Sequence, residues 1–252
     1  MTMPGVPTCN PVAGFSNAPL GSFGARFPSP MWPGSFYSFM NDFDYFTAGL
    51  AASVAKEEWL ATVTNTTLAT ALVTDAMGGI LSITNTAADD DAFIAQYRGG
   101  NFGGTVADVV ESFQFTPGKE LFFASRFSLA DVVQSDFMIG LLIGGATFAA
   151  ATDGVFFIKS DGSAVMSLRS AIVTPVVQTI ASTTLVNGVF VEAAFHYNGI
   201  DAITAYIDGQ RAGTLNIASL PTRTLAVTFG LQNGEAVAKN ALVDWIYVAR
   251  ER

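Results

Sequence analysis

Residues 190–214, FVEAAFHYNGIDAITAYIDGQRAGT, constrain the fold more than any other stretch. Side chains alternate across a strand, so Val191, Ala193, Phe195 and Tyr197 share one face and Glu192 and His196 the other. Asn198-Gly199 breaks the run. Ile203, Ala205 and Ile207 line one face of the next strand, and Asp208-Gly209 turns it back. Asn-Gly and Asp-Gly favour hairpins because the central residues need positive φ, where glycine has no Cβ to clash. Two such strands, so closely joined, build antiparallel sheet.

The pattern continues along the chain. Short runs rich in Val, Ile, Phe and Thr, split by Gly, Asn and Asp, predict strands over 43–47, 59–64, 69–74, 80–84, 92–98, 111–115, 119–129 and 136–143. Further strands are predicted over 154–159, 164–170, 176–181, 190–197, 202–207, 224–232 and 241–250. Many short strands and no helical period mean a sandwich or barrel. Residues 42–252 suit one all-β domain.

Residues 1–41 differ. They hold Pro4, Pro7, Pro11, Pro19, Pro28, Pro30 and Pro33, no acid, and one base, Arg26. Proline fixes φ and removes a donor, which excludes a helix or a central strand. Phe15, Phe23, Phe27, Trp32, Phe36, Tyr37 and Phe39 make the segment too aromatic for a disordered tail. The expectation is an extended arm whose aromatic residues form an interface.

Only 13% of residues are charged and 50% are hydrophobic, with a mean hydropathy of +0.40. A soluble domain ordinarily has about 25% charged residues. Either the chain spans a membrane or much of its surface meets protein. The longest strongly apolar run, 137–151, is shorter than the ~20 residues a spanning helix needs, and Gly140, Gly144 and Gly145 interrupt it. No basic region precedes an apolar core at the N-terminus, so neither a signal peptide nor a membrane partner is expected. The net charge of −9 argues against nucleic acid. The single cysteine, Cys9, excludes an intrachain disulfide and fits synthesis in a reducing cytosol.

Several segments carry a family resemblance. The YIDG hairpin at 206–209 resembles that of the concanavalin A-like lectin/glucanase jelly-roll superfamily. GKELFFASRF at 118–127, DFMIGLL at 136–142, DGVFFIKSDG at 153–162 and LVDWIYVARER at 242–252 are similar to its core strands. In this order the set resembles virion structural proteins of tailed bacteriophages that use this fold. The resemblance implies a concanavalin-like antiparallel β-sandwich from residue 42 onward, with the arm in front.

A laminarinase-type hydrolase is the enzymatic alternative. Retaining hydrolysis needs two carboxyls about 5 Å apart. That family supplies them from one strand as Glu-x-Asp-x-Glu or Glu-x-Asp-x-x-Glu, and neither pattern occurs here. Asp136, Asp153 and Asp161 are the nearest acids, the last two beside turn glycines, and Asp89-Asp90-Asp91 reads as a solvated turn. His196, the only histidine, reads as an outer-face residue, and Gly-x-Ser-x-Gly is missing. No enzyme and no cofactor are therefore expected. Structural calcium is the one cofactor candidate, on Asp42, Asp44 and Asp244, because glucanases of this fold place a matching aspartate on the last strand. Calcium wants six to eight oxygens, and only these three carboxylates are identifiable. Trp32, Trp59 and Trp245 are the sugar-stacking candidates, with Trp245 expected in the core.

The sequence thus points to a virion protein made in the host cytoplasm, a capsid decoration (cement) protein. Its expected partners are the major capsid protein or other virion proteins, and further copies of itself as a homo-oligomer. The alternative is a carbohydrate-binding, lectin-like module of a phage fibre or receptor-binding protein, with a glycan as partner.

Overall fold

The computed structural model describes residues 36–50, 58–64, 70–73, 78–97, 112–172, 176–216 and 220–252. These form an all-β sandwich of two sheets with no helix among the described residues. Phe15, Phe23, Phe27 and Trp32, the expected arm aromatics, lie outside them.

Sheet A is ordered β14 (Gln210–Asn216), β13 (Ala202–Ile207), β12 (Val191–Tyr197), β7 (Leu121–Leu129), β16 (Asn240–Glu251), β5 (Leu81–Thr84) and β4 (Thr70–Leu72). β1 (Phe36–Asn41) also pairs with β16. Sheet B is ordered β11 (Val176–Thr184), β10 (Val165–Ile172), β9 (Gly154–Lys159), β8 (Ser135–Leu142), β15 (Ala226–Asn233), β6 (Ala92–Tyr97), β3 (Trp59–Thr64) and β2 (Ala48–Leu50). Each described pairing is antiparallel except the short parallel pair β2–β3.

The 190–214 reading holds at side-chain level. Val191, Ala193, Phe195, Tyr197, Ile203 and Ala205 all enter the core between the sheets. Asp208 and Gly209 both take positive φ, 48° and 73°. At the other turn, the Asn198 Oδ1 accepts the N–H groups of Ile200, Asp201 and Ala202 at 2.9, 3.0 and 3.1 Å. That side-chain acceptor replaces ladder partners where the strand ends.

Three expectations shift. Residues 43–47 are not a strand. Phe43 sits at φ 48°, its N–H bonded to the Asn41 Oδ1 at 2.8 Å, and its fully buried ring packs on Trp59 and Phe229. Of the expected strand over 111–115, the described residues 112–115 contribute only a bridge, Phe113 to Leu225.

The third shift concerns the arm. Residues 36–41 lie inside the fold, because β1 makes a six-residue ladder with β16, from Phe36↔Glu251 to Asn41↔Ile246. Strand alternation accounts for it: Phe39 turns into the core, 4.3 Å from the Tyr97 ring centroid and 6.2 Å from that of Trp59, while Met40 is exposed. Phe36 meets Phe122 edge-on at 6.2 Å and Tyr37 meets Phe113 at 5.4 Å. These three expected interface residues spend their rings within the chain.

Sheet B carries a third layer. Residues 143–153 fold over its outer face, and Phe148, Ala146 and Ala151 pack on Met138, Leu142, Phe156 and Ile158. The Gln96 amide pins this loop, donating to the Ile143 carbonyl at 3.0 Å and accepting the Gly145 N–H at 2.7 Å. Gly140 permits the packing of β8 on β9, since a Cβ there would lie 2.5 Å from the Phe156 Cα.

Two predictions follow from these contacts. A chain lacking residues 1–41 loses β1, whereas one lacking residues 1–35 keeps it. Phe39 is half-buried, so truncating it costs less than the ~3–5 kcal/mol of a fully buried phenylalanine; the shorter chain should still unfold at a lower urea midpoint, and Phe39→Ala in the full chain should reproduce part of that drop. Equal midpoints for the two truncations would show that β1 adds nothing.

The second prediction concerns acid. Burial raises the Asp131 pKa, but N–H donors of Gln134 and Val133 and the Lys239 ammonium outweigh it, holding the carboxyl at about 2. A depressed carboxyl stabilises the fold above its unfolded pKa, and that contribution is lost as pH falls through the folded value. Stability should therefore decline between about pH 4 and 2, and less steeply in Asp131→Asn; identical acid transitions by circular dichroism would refute the assignment.

Candidate functional site

The outer face of sheet A is the surface best equipped to bind a ligand. A bulge in β16 creates it. Ala241 and Val243 face the core, then the register shifts, and Ile246 and Val248 face it instead. Asp244 and Trp245, adjacent in sequence, both fall on the outer face. Trp245 is half-buried there, packed on Ala124, Ala194 and Tyr206 and on Phe122, Tyr247 and Ala249. It is not in the core, contrary to the expectation from its strand neighbours. Trp59 takes the core place instead, fully buried.

Arg126 is the charge centre of this face. It pairs in register with Glu192 on one side and Trp245 on the other. Its guanidinium donates to the Asp244 carboxylate and lies 4.3 Å from the centre of the Phe190 ring. Glu192 is raised above the usual carboxylate range, first by burial and then by Asp208, while Arg126 opposes the shift. The Asp208 Oδ1 accepts the Glu192 N–H at 2.9 Å. Burial pushes the Tyr247 hydroxyl up to about 12. An arginine, three carboxylates and a tryptophan edge thus share one shallow face.

His196 stands on the same face, as the alternation predicted, but it is buried. Its ring stacks on Phe122 at 4.3 Å and 10°, and its Nε2 lies 3.6 Å from a Glu120 carboxylate oxygen. No serine nucleophile approaches it among the contacts described.

The calcium candidates come close to one another without forming a cage. Burial raises the Asp42 pKa, with Asp44 and Asp244 adding to it. Yet Asp244 is engaged by Arg126, and among the described residues no group of three acidic, histidine or cysteine side chains is arranged to hold a metal. Asp136 and Asp161 lie near each other at a sandwich end, where the Asp161 N–H donates to the Asp136 Oδ1 at 2.9 Å. Asp153 is buried beside the 143–153 loop.

A second concavity lies at the end of the sandwich where β1 begins. It is an open hollow of about 470 Å³ lined by Tyr37, Ser112, Arg250, Glu251 and Arg252. Sequence reading named Trp245, Glu192 and His196 without bringing them onto one surface, and it missed the second concavity. The Asp244-Trp245 break in alternation was the available signal for the first, whereas the second depends on β1 reaching β16.

No protein-family model matches the chain, and no curated protein sequence matches it. Solved structures do. A protein of unknown function from Shewanella oneidensis MR-1 aligns with TM-score 0.54 at 16% identity, over 86% of this chain and 87% of that one. A botulinum neurotoxin type C structure, described as entering cells through two ganglioside molecules, aligns with TM-score 0.50 at 9% identity, over 75% of this chain and 42% of that one. The binding domain of botulinum neurotoxin DC, in complex with rat synaptotagmin II, aligns with TM-score 0.50 at 10% identity, over 75% of this chain and 43% of that one. At these identities the likeness speaks to fold alone: the chain has a concanavalin-like, two-sheet β-sandwich of the jelly-roll type.

Proposed function

We propose that the chain is a virion structural protein of a tailed phage, a capsid decoration protein that binds the shell and reinforces it. The observation that carries this reading is the β1 ladder. Six residue pairs fasten the end of the proline- and aromatic-rich segment to the central strand of sheet A. A segment anchored in this way transmits load through main-chain hydrogen bonds rather than through a loose linker. Buried apolar area contributes about 25 cal/mol per Å², so aromatic residues 15, 23, 27 and 32 docked between capsid subunits would add holding energy at lattice joints. The low charge content of the chain supports the same reading. The experiment is co-sedimentation with undecorated particles. The full chain should pellet with them, and a chain lacking residues 1–35, which retains β1, should stay in the supernatant. Undiminished pelleting of the truncated chain would move attachment to a sandwich face.

A second reading, a glycan-binding module, is favoured by Trp245 beside Arg126 and Glu192. A sandwich of this fold makes up part of the type C neurotoxin chain, whose cell entry is described as dependent on two ganglioside molecules, and aromatic edges with flanking polar groups suit a sugar ring. If this reading holds, glycan-array binding should fall at least ~10-fold in Trp245→Ala, a loss of about 1.4 kcal/mol. Neither reading includes catalysis: incubation with β-glucans or host polysaccharides should release no reducing sugar. Release that disappears in Glu192→Gln or Asp244→Asn would overturn both.

A further inference from the structure

The hollow where β1 begins is built by the strand phases of sheet A. Ile246 and Val248 face the core, so Arg250 and Arg252 continue that inward phase past the end of the apolar layer. Tyr37 lies opposite Arg250 in the β1–β16 ladder and continues the phase of Phe39. Two guanidiniums and a phenol ring thus converge on the mouth of the sandwich. Ser112 completes the wall beside Phe113, whose ring meets that of Tyr37 at 5.4 Å. The volume of about 470 Å³ falls within the ~300–1,000 Å³ range of small-molecule sites.

The fold makes little use of these two arginines. A guanidinium carries five N–H donors in a fixed fork. Arg250 places one of them 3.5 Å from the Thr116 hydroxyl, and Arg252 places one 3.4 Å from the Phe36 carbonyl. The Arg250 Nε is buried and has no acceptor among the described residues. Buried donors are almost always paired, so this one calls for an acceptor. Arg126 is the contrast, since it holds the Asp244 carboxylate and covers the Phe190 ring. A third cation stands close by, because the Lys119 ammonium donates to the Arg252 carbonyl.

This end of the sandwich is mixed in sign, but its acids are engaged elsewhere. Glu251 lines the hollow, yet it falls on the outer phase with Tyr247 and Ala249, and its Oε2 accepts the Glu120 N–H at 3.2 Å. The Glu120 carboxylate lies 3.6 Å from the His196 Nε2. The Asp201 Oδ1 accepts the Asn198 amide at 3.2 Å, and Glu58 bonds the Tyr45 hydroxyl. Among the described residues none of these acids forms an ion pair with Arg250 or Arg252.

We propose that this hollow binds a small organic anion, gripping its carboxylate or phosphate group between Arg250 and Arg252. The shared chemistry is an oxyanion with at least two oxygens, which the guanidinium fork meets with paired N–H donors. Residues two apart on a strand stand ~7 Å from each other, so two long arginine side chains can close on one such group. The group is far smaller than the hollow. The rest of the space suits the polar body of the ligand, lying against the Tyr37 ring, which is 41% exposed. The site is on the inward phase of β16, whereas Trp245 is on the outer face, and it rests on neither functional reading above.

The test is isothermal titration of the full chain with inorganic phosphate, with glucuronate and, as the uncharged comparison, with glucose. Both anions should bind at one saturable site with a dissociation constant of ~1 mM or tighter, and glucose at least about tenfold more weakly. Whichever anion binds more tightly identifies the group as phosphate or carboxylate. Arg250→Gln and Arg252→Gln should each weaken anion binding about tenfold or more. Arg211→Gln removes the same charge from an exposed position on β14 and should keep the wild-type affinity. Nuclear magnetic resonance of the wild-type chain gives a readout that does not depend on how the variants fold: phosphate should shift the amide signals of Tyr37, Ser112, Arg250 and Arg252. Absence of saturable binding by either anion overturns the proposal. So does an equal loss of affinity in Arg211→Gln, or a set of shifts confined to the Trp245 face.

Discussion

Sheet A depends on β16. Its twelve residues pair with β7 along one edge, and on the other edge with β5 at residues 240–243 and β1 at residues 246–251. One strand therefore closes three ladders, and its inward side chains, Ala241, Val243, Ile246 and Val248, are all fully buried. The bulge within it is a condition of that arrangement. If this sequence paired without the bulge, regular alternation would reverse the apolar phase halfway along, and Ile246 and Val248 would leave the core. The same extra residue puts Asp244 within reach of Arg126 and turns Trp245 outward, so the candidate ligand face is a by-product of the way the sheet is closed.

The hydrophobic composition has a second explanation besides partner contacts. An antiparallel sheet commonly buries one face and wets the other. Here both sheets also carry apolar outer faces: Met138, Phe156 and Ile158 on sheet B, and Phe122, Ala124, Ala194 and Tyr247 on sheet A. That is why β7 and β9 read as near-continuous apolar runs instead of alternating. Over sheet B the chain covers the face with its own 143–153 loop. Some of the surplus that suggested protein partners is thus consumed inside the molecule.

Local signals were legible wherever strand period and turn chemistry agreed. β3, β9 and β13 begin and end where the alternation says, and the Asp208-Gly209 turn adopts the backbone its residues demand. Legibility failed where long-range pairing decided. FYSFMN reads as the end of a proline-rich arm, yet β16 offers it a free edge more than 200 residues away. Phe43 looked like a strand start, but a side-chain bond from Asn41 holds it in the left-handed region. Trp245 obeyed its alternation only up to the bulge. Of the candidate site, Glu192 and His196 were placed on the correct face from period alone; Arg126 gained meaning only when β7 came to lie between β12 and β16.

The carboxylates of the sheet A face bear on what chemistry it can perform. Asp244 is neutralised by Arg126, and Asp208 accepts a main-chain N–H as part of its turn. Burial, with Asp208 adding to it, raises the Glu192 pKa, and Arg126 opposes the shift. The Glu192 carboxylate offers acceptors, which the hydroxyl groups of a sugar-like ligand would meet as donors. Beside it, the Trp245 edge supplies apolar contact and the guanidinium supplies fixed donors. Such a set would suit the edges of a polar ring, and the Asp244–Arg126 pair is already formed without the ligand. Binding would then displace little internal pairing, which is the physical basis on which this face could serve recognition.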